Sequence, residues 1–224
     1  MSHPRLAEIV RRHLDTSYRR VPSFAGRVAF DSIADQLTQP FILDAGCGTG
    51  MSTLALAQQF PDRLVLGVDK SNARLQIGQG LLASGRRLDN IVLLRCELVD
   101  FWQLAAAAGL RCAQQYLLYP NPWPKAEHVK RRWHAHPIFP ALLALGGIIE
   151  LRTNWRVYVE EFAEALTAAG FEPRCEEFIS QTPLTPFERK YAASGHRLWR
   201  CRADASDLHP AYAGAIRGST SGET

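Results

Sequence analysis

Two stretches of this sequence set reactive residue types at spacings that could do chemistry. In 43-LDAGCGTGMS-52, Gly46, Gly48 and Gly50 alternate with Cys47 and Thr49 behind an apolar run that carries Asp44. Glycines spaced in this way allow positive φ and let the backbone approach a ligand closely. A Gly-rich match gains meaning when it follows a strand and opens a helix, as the flanking residues suggest here. A phosphate loop would add a Lys-Ser/Thr pair after its glycines, and none follows. Asp44 points instead to a ligand with positive charge. Asp69 closes the next apolar run, in 66-LGVDKS-71, where nucleotide-binding α/β folds keep the acid that holds ribose hydroxyls.

The second stretch is 116-YLLYPNPWPKAEHVKRRW-133, an apolar run that ends on Asn-Pro-Trp-Pro and continues into Lys125, His128, Lys130, Arg131 and Arg132. Pro120 and Pro122 restrict the backbone around Asn121 and fix the direction of its side chain. Trp123 offers a flat apolar face for a base, and the cations behind it could hold phosphates. Such a charge run is often a solvated helix face. Its place beside a rigid loop favours RNA contact.

These residues need a scaffold, and the chain supplies one from about residue 41 onward. Short apolar runs alternate with helix-compatible segments, the pattern of a parallel sheet covered by helices. Strands are expected at 41-FILDAGC-47, 64-LVLGVD-69, 91-IVLLRCE-97, 114-QQYLLYP-120 and 147-GIIELRT-153, with later ones in 172-EPRCEEFIS-180 and 196-HRLWRCRA-203. Helices should begin near Ser52, Asn72, Asp100 and Ala135, and another should span 156–170 with Gly170 as its C-cap. In a doubly wound sheet ligands sit beyond the carboxyl ends of the strands, so both stretches should face one crevice. Residues 1–38 read as a polar N-terminal arm with a helix near 5–14. Residues 39–204 read as the main domain and 205–224 as a flexible tail, since 213-AGAIRGSTSGET-224 has few large apolar groups.

Composition narrows the class. The 224 residues suit one sizeable domain, and 46% hydrophobic with 21% charged content is that of a globular protein. No apolar stretch reaches the roughly 18 residues of a membrane helix, and the first twenty residues lack a signal-like apolar segment. A cytoplasmic location is the expectation. Five cysteines without a CxxC pair give no metal site and read as free thiols. A net charge of +4 is too small to argue for nucleic acid by itself.

The D-x-G-x-G-x-G turn resembles that of S-adenosylmethionine (SAM)-dependent methyltransferases, and it does not keep the G-x-G-x-x-G spacing of an NAD turn. The resemblance implies that Asp44 and residues 46–50 surround the methionine part, that Asp69 takes the ribose, and that Glu97 lies near the adenine amino group. Along the chain, 43-LDAGCGTG-50, 120-PNPWPKAEHVKRRW-133, 153-TNW-155 and 185-TPFER-189 follow one another in an order that looks like the bacterial tRNA (guanine-N7)-methyltransferase family. That resemblance implies a Rossmann-like class I methyltransferase with a seven-stranded, mostly parallel sheet and helices on both faces. It implies SAM as cofactor and tRNA as partner, with the protein a monomer or homodimer. Asn121 would occupy the place of a catalytic acid and also border the cofactor, with Trp123 and Lys125 beside it. Lys125, His128, Lys130, Arg131 and Arg132 would face RNA. Asn154 replaces a second aspartate, while Thr185, Glu188 and Arg189 would form a clamp on substrate and cofactor. With both acids replaced by amides, three other outcomes stay open: a relative acting on another RNA position or small molecule, an exocyclic-amine methyltransferase of the Asn-Pro-Pro-Tyr kind, or a SAM- and RNA-binding protein with little catalysis.

Overall fold

The computed structural model describes residues 2–84 and 88–207. Seven strands, β1 (Phe41–Ala45), β2 (Val65–Asp69), β3 (Ile91–Arg95), β4 (Cys112–Leu118), β5 (Ile148–Thr153), β6 (Arg174–Phe178) and β7 (Leu198–Asp204), form one sheet in the order β3-β2-β1-β4-β5-β7-β6. Only β7 runs antiparallel to its neighbours. Every residue of β1 is buried, and its side chains alternate between two apolar clusters: Phe41, Leu43 and Ala45 join one, Ile42 the other. Both faces of the sheet are therefore covered, which is why the central strands read as unbroken apolar runs instead of alternating ones.

The helices are α1 (Leu6–Leu14), α2 (Phe24–Asp31), α3 (Met51–Gln59), α4 (Asn72–Ala83), α5 (Leu98–Ala107), α6 (Phe139–Ala144), α7 (Arg156–Ala168) and α8 (Pro186–Ala193). Gly170, at φ 87°, follows the end of α7 as expected, and the Phe171 N–H reaches back to the Leu166 carbonyl at 3.0 Å. The helix expected from Ala135 starts later, at Phe139, after two short 3-10 turns over Ala126–Arg131 and Trp133–Ala135. His136 precedes a proline and is extended at ψ 144°, so no helix can run through it.

Residues 1–38, read from sequence as a polar arm, contribute to the core. Leu6, Ile9 and Val10 of α1 are buried against α6 and α7, because they make one apolar stripe among the arginines. Of the tail expected at 205–224, the stretch 208–224 lies outside the described residues.

Two glycines away from the first turn set how closely the layers meet there. A Cβ at Gly67 of β2 would lie 2.4 Å from Thr53 Oγ1, and one at Gly78 of α4 would lie 2.5 Å from the Thr49 carbonyl oxygen. Hydrogen is the only side chain that fits either place.

Candidate active site

The glycine turn leaves the carboxyl end of β1 with Gly46, Gly48 and Gly50 at φ 80°, 58° and 74°. The Gly46 and Cys47 N–H groups bond to the Val68 carbonyl at 2.8 and 3.1 Å, which ties the turn to β2. Asp69 completes the tie: its Oδ2 accepts from the Gly48 N–H at 3.0 Å and its Oδ1 from the Ser71 N–H at 2.8 Å. A Cβ built on Gly48 would meet nothing within 4 Å, so open space lies over the turn. Gly50 is the N-cap of α3, whose positive end therefore borders that space.

Asp44 is buried, and its Oδ2 accepts from Ser52 Oγ at 2.6 Å and Thr53 Oγ1 at 2.7 Å. Burial raises its carboxyl to about 6; Ser52 and Thr53 oppose the rise, and the nearby Asp69 adds to it. Asp44 thus holds the first turn of α3 and acts on the crevice through its field. Cys47 is buried too, and desolvation pushes its thiol well above the ordinary range. Thr49 packs its carbonyl under α4. Glu97 is the N-cap of α5, exposed at the end of β3, with the Lys70 ammonium 3.6 Å from its Oε1. Two carboxylates behind a bare backbone turn, with a third at the rim, suit a nucleoside that carries a cationic group.

Asp44 pairs with Tyr116 across β1 and β4, so the chain leaving β4 at Leu118 passes alongside the glycine turn. This is the point where the strand order reverses, the place where open α/β sheets take their ligands. Among the described residues, Tyr119 (φ 52°) and Trp123 (φ 43°) are the non-glycine residues with positive φ, and they bracket Asn121. Asn121 is exposed, and its Oδ1 accepts from the Trp123 N–H at 3.2 Å, closing a tight turn. The Arg131 guanidinium lies 4.7 Å from the Trp123 ring centre, and the His128 ring stands nearly perpendicular to it at 5.7 Å. Arg131 thus covers one face of the ring, and a base on that side must stack on the guanidinium or displace it.

Lys125, Lys130 and Arg131 are exposed. Lys125 faces Glu127 at 4.0 Å. If Lys130 and Arg131 grip phosphates, alanine at either position should reduce the slope of log affinity for tRNA against log salt by about one, with SAM affinity unchanged. Titration of binding at several salt concentrations measures this, and an unchanged slope would leave the cluster a solvated face.

Arg132 departs from its expected place among the RNA-facing cations. It is 5% exposed, ion-paired to Glu161, and its Nε and Nη2 donate to the Trp123 carbonyl at 3.3 and 2.9 Å. Glu188 departs likewise from the clamp. It is fully buried, accepting from Arg152 Nη1 at 3.0 Å and from Ser180 Oγ, so it anchors α8 to β5. Thr185 caps α8 and accepts from the Glu188 N–H at 2.9 Å. Arg189 remains exposed and, with Thr185 and Met51, lines a cavity of about 550 Å³. That cavity is bordered by the start of α3 but by none of Asp44, Asp69, Glu97 or Asn121. Asn154 is half-buried with its amide nitrogen 3.4 Å from His196 Nδ1, while Trp155 is 42% exposed.

Glu161 went unnoticed in the sequence. The signal was present: in 156-RVYVEEFAEALTAAG-170 it falls three residues after Tyr158 and four before Ala165, on the apolar stripe of α7.

Comparison with known proteins agrees with this geometry. A family model described as "Putative methyltransferase" matches residues 38–201. The tRNA (guanine-N(7)-)-methyltransferase of Leifsonia xyli subsp. xyli (strain CTCB07) is 32% identical over 176 residues, covering 72% of this chain and 74% of its own. The enzyme of the same name from Stutzerimonas stutzeri (strain A1501) is 30% identical over 183 residues, covering 76% and 74%. Among solved structures, an antibiotic-related methyltransferase superposes with a TM-score of 0.60 at 16% identity, covering 83% of this chain and 96% of that one. A variant of the 16S rRNA (adenine(1408)-N(1))-methyltransferase from Catenulisporales acidiphilia, solved with cosubstrate SAM, gives 0.56 at 19% identity, covering 80% and 92%.

Proposed function

Because the chain belongs to the tRNA (guanine-N7)-methyltransferase family, we propose that it transfers the methyl group of SAM to N7 of a guanine in tRNA, forming 7-methylguanosine. The observation that carries the reading is the adjacency of the glycine turn and the Asn121 turn at the point where the strand order reverses. SAM, when bound, supplies an electrophilic methyl group on a sulfonium.

The protein's own part is to bind and orient. The backbone of residues 46–50 and the Asp69 carboxylate would hold the nucleoside, with Glu97 toward the base and the buried Asp44 favouring positive charge nearby. Guanine N7 carries an in-plane lone pair, so displacement in line needs no general base, and rate comes mostly from proximity and orientation. The guanine ring gains positive charge as the bond forms, and groups aimed at that charge lower the barrier. Asn121 offers only a dipole for this, with its oxygen already receiving the Trp123 N–H. In the exocyclic-amine reading the substrate NH₂ would share the two lone pairs of that oxygen with the Trp123 N–H.

Among the described residues no helix is long and apolar enough to cross a membrane. The tRNA enzymes to which the chain is similar support a cytoplasmic location, and we take residues 39–204 as the catalytic unit, with α1 and α2 of the N-terminal arm packed on it, in a monomer or homodimer.

Purified protein with SAM and total tRNA should yield 7-methylguanosine on nucleoside mass spectrometry. A different methylated nucleoside would move the acceptor atom. SAM binding without any product would leave a binding protein.

A further inference from the structure

Glu161 sits at the centre of a buried junction that no step above uses. Its Oε1 accepts from the His3 backbone N–H at 2.8 Å, and its Oε2 receives Arg132 Nη1 and lies 3.1 Å from His134 Nε2. It is 1% exposed, Arg132 5% and His134 0%. The remaining two nitrogens of the Arg132 fork reach across to the Trp123 carbonyl. A second cavity, of about 360 Å³, lies along this junction and is lined by His3, Pro122, Pro124, Arg132, Trp155 and Glu161.

The backbone at Trp123 explains why such a junction exists. A tryptophan at φ 43° is in a region that side chains with a Cβ rarely occupy, and it stays there only if its surroundings hold it. Within the turn, one hydrogen bond is available, from its N–H to Asn121 Oδ1. The two hydrogen bonds from Arg132 restrain the Trp123 carbonyl from outside the turn, and a guanidinium can aim its fork only when its own direction is fixed. Glu161 fixes it from the opposite side. Burial by itself would raise the Glu161 carboxyl, but His134 and Arg132 more than offset this and hold it down at about 2, so it stays ionised.

We propose that Glu161 is a positioning residue for methyl transfer: through Arg132 it holds the Trp123 carbonyl and so keeps Asn121 aimed at the crevice. The inference rests on the function proposed above, since it concerns turnover at that site. Glu161 touches neither reactant, so its effect should appear in kcat and in the order of the 119–124 turn, with SAM affinity spared.

The full chain carries the test as wild type, Glu161→Gln, Arg132→Lys and the double variant. Lysine at 132 keeps the charge beside Glu161 and loses the fork on Trp123. Each single variant should lower kcat for tRNA about tenfold at temperatures well below its own melting point, with the Kd for SAM within twofold of wild type. The double variant should be no more than about twofold slower than the slower single, because both act through one contact. Hydrogen–deuterium exchange should quicken over residues 119–132 in both singles. Should Glu161→Gln fail to fold, Arg132→Lys still decides the matter by kcat and exchange. An Arg132→Lys protein with wild-type kcat and unchanged exchange overturns the proposal, as do singles whose losses multiply in the double. Wild-type turnover in the same assay separates the two readings. If wild type makes no 7-methylguanosine, the proposed function fails, and the exchange data still decide whether this junction holds the turn.

Discussion

Replacement of Asp69 by alanine is expected to weaken SAM binding about 100-fold while the sheet stays intact. Asp69 ties Gly48 to β2 with one oxygen and opens α4 through Ser71 with the other. Hydrogen bonds to a charged acceptor contribute roughly 1.5–3 kcal/mol each, and losing both frees a turn whose three glycines have no side chains to hold it. The ribose contact that Asp69 would make is lost as well. Asp69→Asn, with one acceptor oxygen in place of two, should fall between. Isothermal calorimetry with SAM measures the difference, and a Kd within threefold of wild type in the alanine protein would remove Asp69 from the site.

Asn121→Asp is expected to raise kcat about tenfold. The exchange is nearly isosteric, and the turn survives because a carboxylate accepts the Trp123 N–H at least as well as an amide does. A unit negative charge near the methylated ring interacts with it by up to about 4 kcal/mol at 4 Å in a medium of effective dielectric 20. Asn121 is exposed, so screening by water and salt should leave about 1.4 kcal/mol, which is tenfold in rate. Single-turnover methylation of tRNA at saturating SAM isolates the chemical step. A slower Asn121→Asp enzyme would mean that the amide group itself serves the transfer.

The sequence was informative wherever one local cause decides the outcome. Apolar runs became the strands, Gly46, Gly48 and Gly50 took positive φ, Asp69 ended β2 and Gly170 followed α7, because backbone sterics depend on a few neighbouring residues. The basic segment was harder. Charge suggested five exposed cations, and four of them are exposed or half-exposed, yet Arg132 is buried because a carboxylate 29 residues further on pairs with it. The resemblance set Glu188 in a substrate clamp, and Arg152 of β5 draws it inward. Burial of a charge depends on a partner that is distant in sequence, and one chain read in order does not show which carboxylate meets which guanidinium. The stripe of α1 was visible in principle but masked by five arginines among the first twenty residues.

The close approach at Gly67 and Gly78 bears on how kinship to this chain is recognised. The familiar signature stops at Gly50, but the turn it describes is pressed between Thr53 against β2 and Thr49 against α4, with room only for hydrogen at both contacts. The diagnostic pattern therefore extends 28 residues past Gly50, to a glycine in mid-helix that helix propensity alone would discourage. A homologue carrying alanine at that place must have moved α4 outward, and its cofactor cleft should be correspondingly wider.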